Sequence, residues 1–209
     1  MPTLPSSAPR PRTLVVASAS GFYGDRGDEV LTEDSAAGSG FLAEVCVDWE
    51  AATEAARDNP DVRVSIVRIG IVQSTQGGAL KAQLPIFKLG LGGRLGSGDQ
   101  FIPWIGIDDL VGIFVLALTD DDAPAVMNAA APAPVRQADY AATLARVLGR
   151  PAKIPVPAFG PKLVLGDMAD EMLLASTRVL PEAATTHGYT FHQPTLDEAL
   201  RTLLGRHAA

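Results

Sequence analysis

Two apolar runs rich in β-branched residues constrain most strongly what this chain can fold into. Thr13–Ala19 and Val62–Val72 read TLVVASA and VRVSIVRIGIV, a length and composition typical of buried strands. Between them, Phe41–Arg57 carries apolar residues at helical spacing, and we predict one helix there, capped by Ser39. Strand and helix patterns continue to alternate after the second run. This alternation predicts an α/β fold with an open, largely parallel sheet. The further predicted elements are helices at Ala79–Lys88, Asp108–Leu118 and Gln137–Leu148, extended segments at Ile102–Ile107, Ala125–Ala129 and Lys153–Val156, and a loop at Asp25–Gly40.

The glycine loop that marks a dinucleotide-binding fold is not found in its usual form. Such a loop reads G-x-G-x-x-G between a strand and a helix, because glycine lets the backbone approach a pyrophosphate. The first strand is followed by Gly21 and Gly24, which have the wrong spacing. Gly90–Gly96 (GLGGRLG) places its third glycine one position late and follows a helix pattern. We interpret that segment as a tight surface loop.

Charge and cysteine content exclude several classes of partner. The net charge is −7, and no cluster of Lys and Arg interrupts it, so nucleic acid and anionic membrane surfaces are not expected partners. The single cysteine, Cys46, fits a reducing compartment, and no apolar run is long enough to span a bilayer. We therefore expect a cytoplasmic protein, with the proline-rich residues 1–12 as a flexible lead-in.

Several longer motifs resemble one family. ASASGFYGDRGDE at Ala17–Glu29, GFLAEVCVDWE at Gly40–Glu50 and GGRLGSGDQFIPWIGIDD at Gly92–Asp109 are similar to the NAD-dependent epimerase/dehydratase family, an atypical group of short-chain dehydrogenase/reductases (SDRs) also called sugar nucleotide epimerase-related proteins. The tail Leu165–Leu200 resembles the domain of unknown function DUF1731 that closes those proteins. The resemblance covers nearly the whole chain from Thr13 onward.

The resemblance implies that only the later part of the family's fold is encoded here. Thr13–Ala19 looks like the fifth strand of a family member, and the first four strands with the glycine loop are expected to be missing. The implied organisation is a lead-in at 1–12, a partial NAD(P)-binding domain at 13–155 and a DUF1731-like domain at 156–205. The implied fold is the C-terminal portion of a Rossmann-like sheet of the extended SDR type plus a small, mostly helical C-terminal domain. We expect the open sheet edge to need a partner to cover it.

The same resemblance implies candidate site residues and a cofactor. Ser18 lies on the strand that carries the catalytic serine in relatives, and Tyr23 follows it as a stand-in acid; a turn hydroxyl and a half-buried aromatic are the alternative interpretations. Arg68 either faces the ligand cleft or pairs with an aspartate, since a charge on a buried strand needs a partner. The predicted sets are Ser18 and Tyr23 for catalysis; Ser18, Ala19, Arg68 and Gly70 for binding NADP; and Trp104 and Asp108 for a substrate pocket.

The residues alone leave three interpretations of the function. Catalytic relatives use a Tyr-x-x-x-Lys pair in which the lysine lowers the pKa of the tyrosine, and the helix Phe41–Arg57 contains no such pair. The family that the chain resembles also lacks the pair. One interpretation is an NADP-dependent oxidoreductase or epimerase acting on a nucleotide-sugar-like or small carbonyl substrate. The others are a non-catalytic binding or regulatory module and a truncated product. The histidines and Cys46 have no metal-ligand spacing, so no metal site is predicted.

Overall fold

Three parallel strands form the central sheet of the computed structural model, which describes residues 12–152, 154–155 and 170–206. In the order β1–β3–β7, these are β1 (Thr13–Ala19), β3 (Arg63–Ile69) and β7 (Val126–Ala129). Thr13 pairs with Arg63 and Ile66 pairs with Val126, all in parallel register. The predicted α/β fold with a parallel sheet is confirmed.

Short paired strands and helices surround this sheet. Two parallel pairs join β2 to β9 and β4 to β6, and β5 pairs with β8 in the antiparallel sense. The bounds of these strands are β2 Val30–Leu31, β4 Ile71–Gln73, β5 Phe101–Ile102, β6 Trp104–Gly106, β8 Val135–Arg136 and β9 Arg178–Val179. The helices are α1 Phe41–Ala51, α2 Glu54–Arg57, α3 Gly78–Lys88, α4 Ile107–Thr119, α5 Gln137–Leu148, α6 Glu182–Thr186 and α7 Leu196–Leu203, with a 3₁₀ turn at Ser20–Tyr23 and a π-helical turn at Asp170–Leu174.

The two faces of the sheet are covered by different helices. Side chains of successive strand residues point to opposite faces. Val67 packs into an apolar cluster with Ile113 and Ala117 of α4, whereas Arg68 bonds to Glu50 of α1. Helix α4 therefore lies on one face and α1 on the other. The α4 face is apolar, and the α1 face is polar near the carboxyl end of β3.

The outer edge of β1 is open within the described part of the chain. There β1 pairs with β3 alone, and Leu14 is 38% exposed. Helix α4, which contacts β1, also presents an apolar stripe at Val111, Val115 and Leu118, each more than half exposed. A sheet edge with unpaired backbone groups beside an exposed apolar stripe is a surface that pairs readily with further strands.

Several local predictions need correction. The helix predicted over Phe41–Arg57 is two helices, because the chain turns at Ala52 and Thr53. The N-cap residue of α1 is Gly40 rather than Ser39. The predicted loop Asp25–Gly40 contains β2, a two-residue strand that is defined by its pairing with β9 far along the chain and has no local sequence signal. The lead-in before Arg12 lies outside the described residues, and so do Lys153 and Val156 of the strand predicted at Lys153–Val156; its described residues Ile154 and Pro155 are not in a strand.

The strand predicted at Val62–Val72 is interrupted at Gly70. A Cβ atom added there would lie 2.1 Å from the carbonyl oxygen of Pro103, so the backbones meet too closely for any side chain. The Ile71 amide donates to that same carbonyl at 2.6 Å, and the chain then continues as β4 beside β6.

Replacing Gly70 by alanine is therefore expected to lower the free energy of unfolding by about 1–3 kcal/mol, the range for overpacked sites. Urea denaturation followed by circular dichroism measures it. Gly77→Ala is the matched control, because Gly77 has extended backbone and nothing within 4 Å of an added Cβ. Its expected change is within about 0.5 kcal/mol. Equal losses in the two variants would contradict the steric explanation.

Candidate functional site

A cavity of about 580 Å³ opens at the carboxyl ends of β1 and β3. This edge of a parallel sheet is where open α/β folds bind ligands, and the volume lies in the range of small-molecule sites. The sheet contributes Ala19 and Ile69, and the segments after these strands contribute Ser20, Gly21, Gly70 and Ile71. Helices α1 and α3, strand β5, helix α5 and the tail close the other sides.

The lining is largely apolar with a few neutral polar groups. Gln73 is fully buried; its Oε1 accepts a 2.8 Å hydrogen bond from the Tyr140 hydroxyl, and its Nε2 donates to the Ile71 carbonyl. Burial raises the pKa of Tyr140, so this phenol stays protonated at neutral pH. Burial likewise raises the pKa of the Cys46 thiol, which favours the thiol over the thiolate.

Glu171 reaches the cavity from the tail and caps helix α1. Its two carboxylate oxygens accept hydrogen bonds from the backbone amides of Phe41 and Leu42 at 3.1 and 2.8 Å. Gly40 offers no side-chain cap, so this carboxylate takes that role at the positive end of the helix. The contact holds the tail against the α1 side of the cavity.

The two predicted catalytic residues lie in a buried network instead of the cavity wall. The Ser18 hydroxyl donates to Glu50 Oε1 at 2.8 Å, and the Tyr23 hydroxyl donates to Asn128 Oδ1 at 2.7 Å while accepting from Arg68 Nη1 at 3.0 Å. Burial raises the pKa of Tyr23, even though Arg68 opposes the shift. The geometry is that of a structural network, and a catalytic role for the pair stays a prediction.

Arg68 pairs with a glutamate, whereas the sequence left open the ligand cleft or an aspartate partner. Its Nε and Nη2 atoms donate to the two carboxylate oxygens of Glu50 at 2.9 and 2.8 Å, and its guanidinium stacks on Phe22 at 3.4 Å. This bidentate pair is 6% and 12% exposed. Of the predicted cofactor-binding set, Ala19 and Gly70 line the cavity, and Ser18 and Arg68 lie behind it.

The predicted pocket residues Trp104 and Asp108 do not line the cavity. Trp104 is 1% exposed, and its Nε1 donates to the Ala133 carbonyl, because β6 turns this side chain into the core cluster under α5. Asp108 accepts a bond from Gln193 Nε2 at 3.2 Å. Neither Asp108 nor Asp109 makes a capping hydrogen bond at the start of α4, where Gly106 is the N-cap residue.

Sequence reasoning missed the neutral lining residues Gln73, Gln100, Gln137 and Tyr140 and the carboxylate of Glu171. None of the glutamines titrates, and no short motif joins them, because they come from different elements. An acidic side chain is a recognisable sequence signal, and of these residues only Glu171 carries one. Because Glu171 lies in the tail, the sequence pattern of α1 does not identify it as the cap of that helix.

Among the described residues, no group of three or more His, Cys, Asp or Glu side chains could hold a metal ion. In the same residues, no helix combines the length and apolar character needed to cross a membrane.

Comparison with known proteins agrees on one family. Residues 156–203 match the model of a domain of unknown function, DUF1731. The epimerase family protein Mb2239 of Mycobacterium bovis is 40% identical over 188 residues, which are 90% of this chain and 62% of that protein. The human epimerase family protein SDR39U1 is 36% identical over 201 residues, 95% of this chain and 68% of the human protein. The chain thus spans roughly two thirds of the length of these relatives.

Solved structures give the same answer. The crystal structure of human SDR39U1 (isoform 2) with NADPH matches with a TM-score of 0.88 over 96% of this chain and 68% of that one. A nucleoside-diphosphate sugar epimerase from Corynebacterium glutamicum, 39% identical, matches with a TM-score of 0.76 over 93% of this chain and 38% of that one. The predicted resemblance, including the DUF1731-like tail, is confirmed. The chain belongs to the epimerase family of atypical short-chain dehydrogenase/reductases.

Proposed function

We propose that this chain forms the nicotinamide and substrate side of an NADPH-dependent oxidoreductase or epimerase. The observation that carries the proposal is the cavity at the carboxyl ends of β1 and β3, the edge at which SDR-like sheets hold their ligands. The human relative crystallised with NADPH supports the choice of cofactor.

The described residues fit one end of NADPH only. Ala19, Gly21, Gly70 and Ile71 give an apolar part of the wall on which a flat ring can lie. No described lining residue is Lys, Arg or His, so the lining offers no cation to the phosphates. When bound, the cofactor supplies hydride chemistry, and these residues would orient its nicotinamide and exclude water from it.

The open edge of β1 indicates where a binding site for the phosphates of NADPH would be supplied. We propose that strands carrying the glycine loop pair with this edge and cover the stripe Val111, Val115 and Leu118 of α4. In the strand order 3-2-1-4-5-6 of such sheets, the phosphate-binding loop would then stand at the same carboxyl edge, one strand beyond the neighbour of β1. A partner of this kind fits a surface that is both a hydrogen-bonding edge and an apolar helix face.

A non-catalytic binding module is the second candidate. It is favoured by Tyr23 and Ser18, whose hydroxyls both donate to buried side chains behind the cavity. Tyr140, the phenol that does line the cavity, has a pKa raised by burial, and nothing cationic among the described lining residues counteracts that shift. Binding of NADPH without consumption of the reduced nicotinamide in the presence of carbonyl compounds would favour this candidate over the first.

Saturation-transfer NMR of the 209-residue chain with NADPH tests the binding mode. We expect a dissociation constant of about 1 mM, because one end of the cofactor is held, with stronger transfer to nicotinamide than to adenine protons. Ala19→Asp, which places a carboxylate on the wall, is expected to abolish the nicotinamide signal. Ala17→Asp is the control two residues earlier on β1, exposed and outside the lining. Stronger transfer to adenine, or no transfer at all, would contradict the proposal.

A further inference from the structure

We propose that the substrate of this site is an uncharged, largely apolar carbonyl compound or its alcohol, and not a nucleoside diphosphate sugar. The inference rests on the proposed function for the presence of a redox substrate. Its own evidence is the chemistry of the cavity wall: apolar sides, neutral hydrogen-bonding groups and a single carboxylate among the described residues.

Apolar side chains from two helices line the cavity. Leu42, Val45 and Trp49 are spaced by three and four residues on α1, so they lie on one side of that helix, and all three line the cavity. Ile86 and Phe87 of α3 also line the cavity. Burial of apolar ligand surface against such walls favours binding. A charged group would lose its hydration there without a compensating interaction, which disfavours binding.

The charge of the wall opposes an anion. Phosphates in proteins are held by Arg, Lys or helix N-termini, and none of the described lining residues is cationic. The N-terminus of α1, which would otherwise attract an anion, is already occupied by the Glu171 carboxylate. The guanidinium groups of Arg136 and Arg178 lie near the site but stack on the Phe101 ring, 4.4 and 5.1 Å from its centroid, and do not line the cavity.

The polar groups suit a neutral carbonyl or hydroxyl. Gln73, Gln100 and Gln137 line the cavity, and all three are at least nine-tenths buried. Gln137 accepts the Leu95 amide through Oε1, which leaves its Nε2 as the atom that donates toward a ligand. Amides both donate and accept without carrying charge, so they orient an uncharged oxygen and do not balance a phosphate. The Corynebacterium glutamicum relative is described as a nucleoside-diphosphate sugar epimerase, so the proposal separates this chain from that substrate class.

The test uses Prodan, a neutral aromatic ketone whose emission shifts to the blue in apolar surroundings. We expect the 209-residue chain to bind it, and Val45→Asp to weaken binding about tenfold or more, because the new carboxylate faces the bound ring. Val47→Asp is the matched control: it places the same carboxylate two residues away on α1, at a residue 40% exposed and outside the lining. UDP-glucose at millimolar concentration is expected to leave the Prodan signal unchanged.

Displacement of Prodan by UDP-glucose would overturn the proposal, and so would equal affinities in the Val45→Asp and Val47→Asp variants. Circular dichroism of both variants shows whether a loss reflects unfolding. If Val45→Asp unfolds, Val45→Thr keeps the side-chain shape, and a loss of affinity against an unchanged Val47→Thr supports the same conclusion. Prodan binding is measured without NADPH, so it can succeed where the nicotinamide signal fails, and the failure of one proposal can be told apart from the failure of the other.

Discussion

Replacing Arg68 by methionine is expected to lower the free energy of unfolding by about 3–5 kcal/mol, the cost of leaving a buried charge without its partner. In the variant the Glu50 carboxylate, whose side chain is only 12% exposed, has lost its cation. The Tyr23 hydroxyl has also lost the hydrogen bond that Arg68 Nη1 donates to it. The stacking of the guanidinium on Phe22 is lost as well. Urea denaturation at neutral pH, followed by near- and far-ultraviolet circular dichroism, measures the loss.

Two further variants separate the buried charge from the loss of a long side chain. Adding Glu50→Leu to Arg68→Met removes both charges, and most of the stability is expected to return, since an apolar pair of similar volume is often neutral. Arg57→Met breaks an exposed pair with Glu54 at 4.0 Å and is expected to cost less than about 1 kcal/mol. A double variant no more stable than Arg68→Met would contradict the expected effect of the unpaired carboxylate.

The pairing of Arg68 shows how far sequence reasoning reached. A charged residue in the run VRVSIVRIGIV must find a partner when the strand is buried, and that much followed from the residues alone. The partner is Glu50 on α1, where the expected partner was an aspartate. Which carboxylate it is depends on how α1 lies across the sheet, and this packing has no local signal in the chain.

The strands themselves were predictable and the cavity was not. β-Branched residues identified both β1 and β3, and in β3, which is buried along its length, burial on both faces selects such residues. The cavity wall is assembled from helices, loops and the tail, and its polar members Gln73, Gln100 and Gln137 carry no charge and form no motif. Trp104 and Asp108 were placed in the pocket by resemblance, but the direction of each side chain is set by packing, which turned Trp104 into the core.

The second large effect is expected at Asp109, the fully buried carboxylate in the first turn of α4. Its Oδ1 accepts a hydrogen bond from the His192 amide at 2.8 Å, and its Oδ2 accepts one from the Gln193 amide at 3.0 Å. These two bonds connect the tail to α4. The Tyr189 hydroxyl also lies 3.1 Å from Oδ1, and burial raises the pKa of this phenol, with the negative charge of Asp109 adding to the shift.

Asp109→Ala is expected to lower the free energy of unfolding by about 2–4 kcal/mol, because two backbone amides of the tail, that of Gln193 buried and that of His192 partly buried, lose the carboxylate that accepts from them. Limited proteolysis of the same variant should show earlier cleavage between His187 and Gln193 than in the unchanged chain. Asp109→Asn retains one carbonyl oxygen and is expected to lose less. Asp108→Ala is the matched control, since Asp108 accepts only one bond from Gln193, a side-chain bond at 3.2 Å, and its loss should stay below about 1 kcal/mol. If the two alanine variants lost equal stability, the tail would be held mainly by its apolar contacts with α4 and not by this carboxylate.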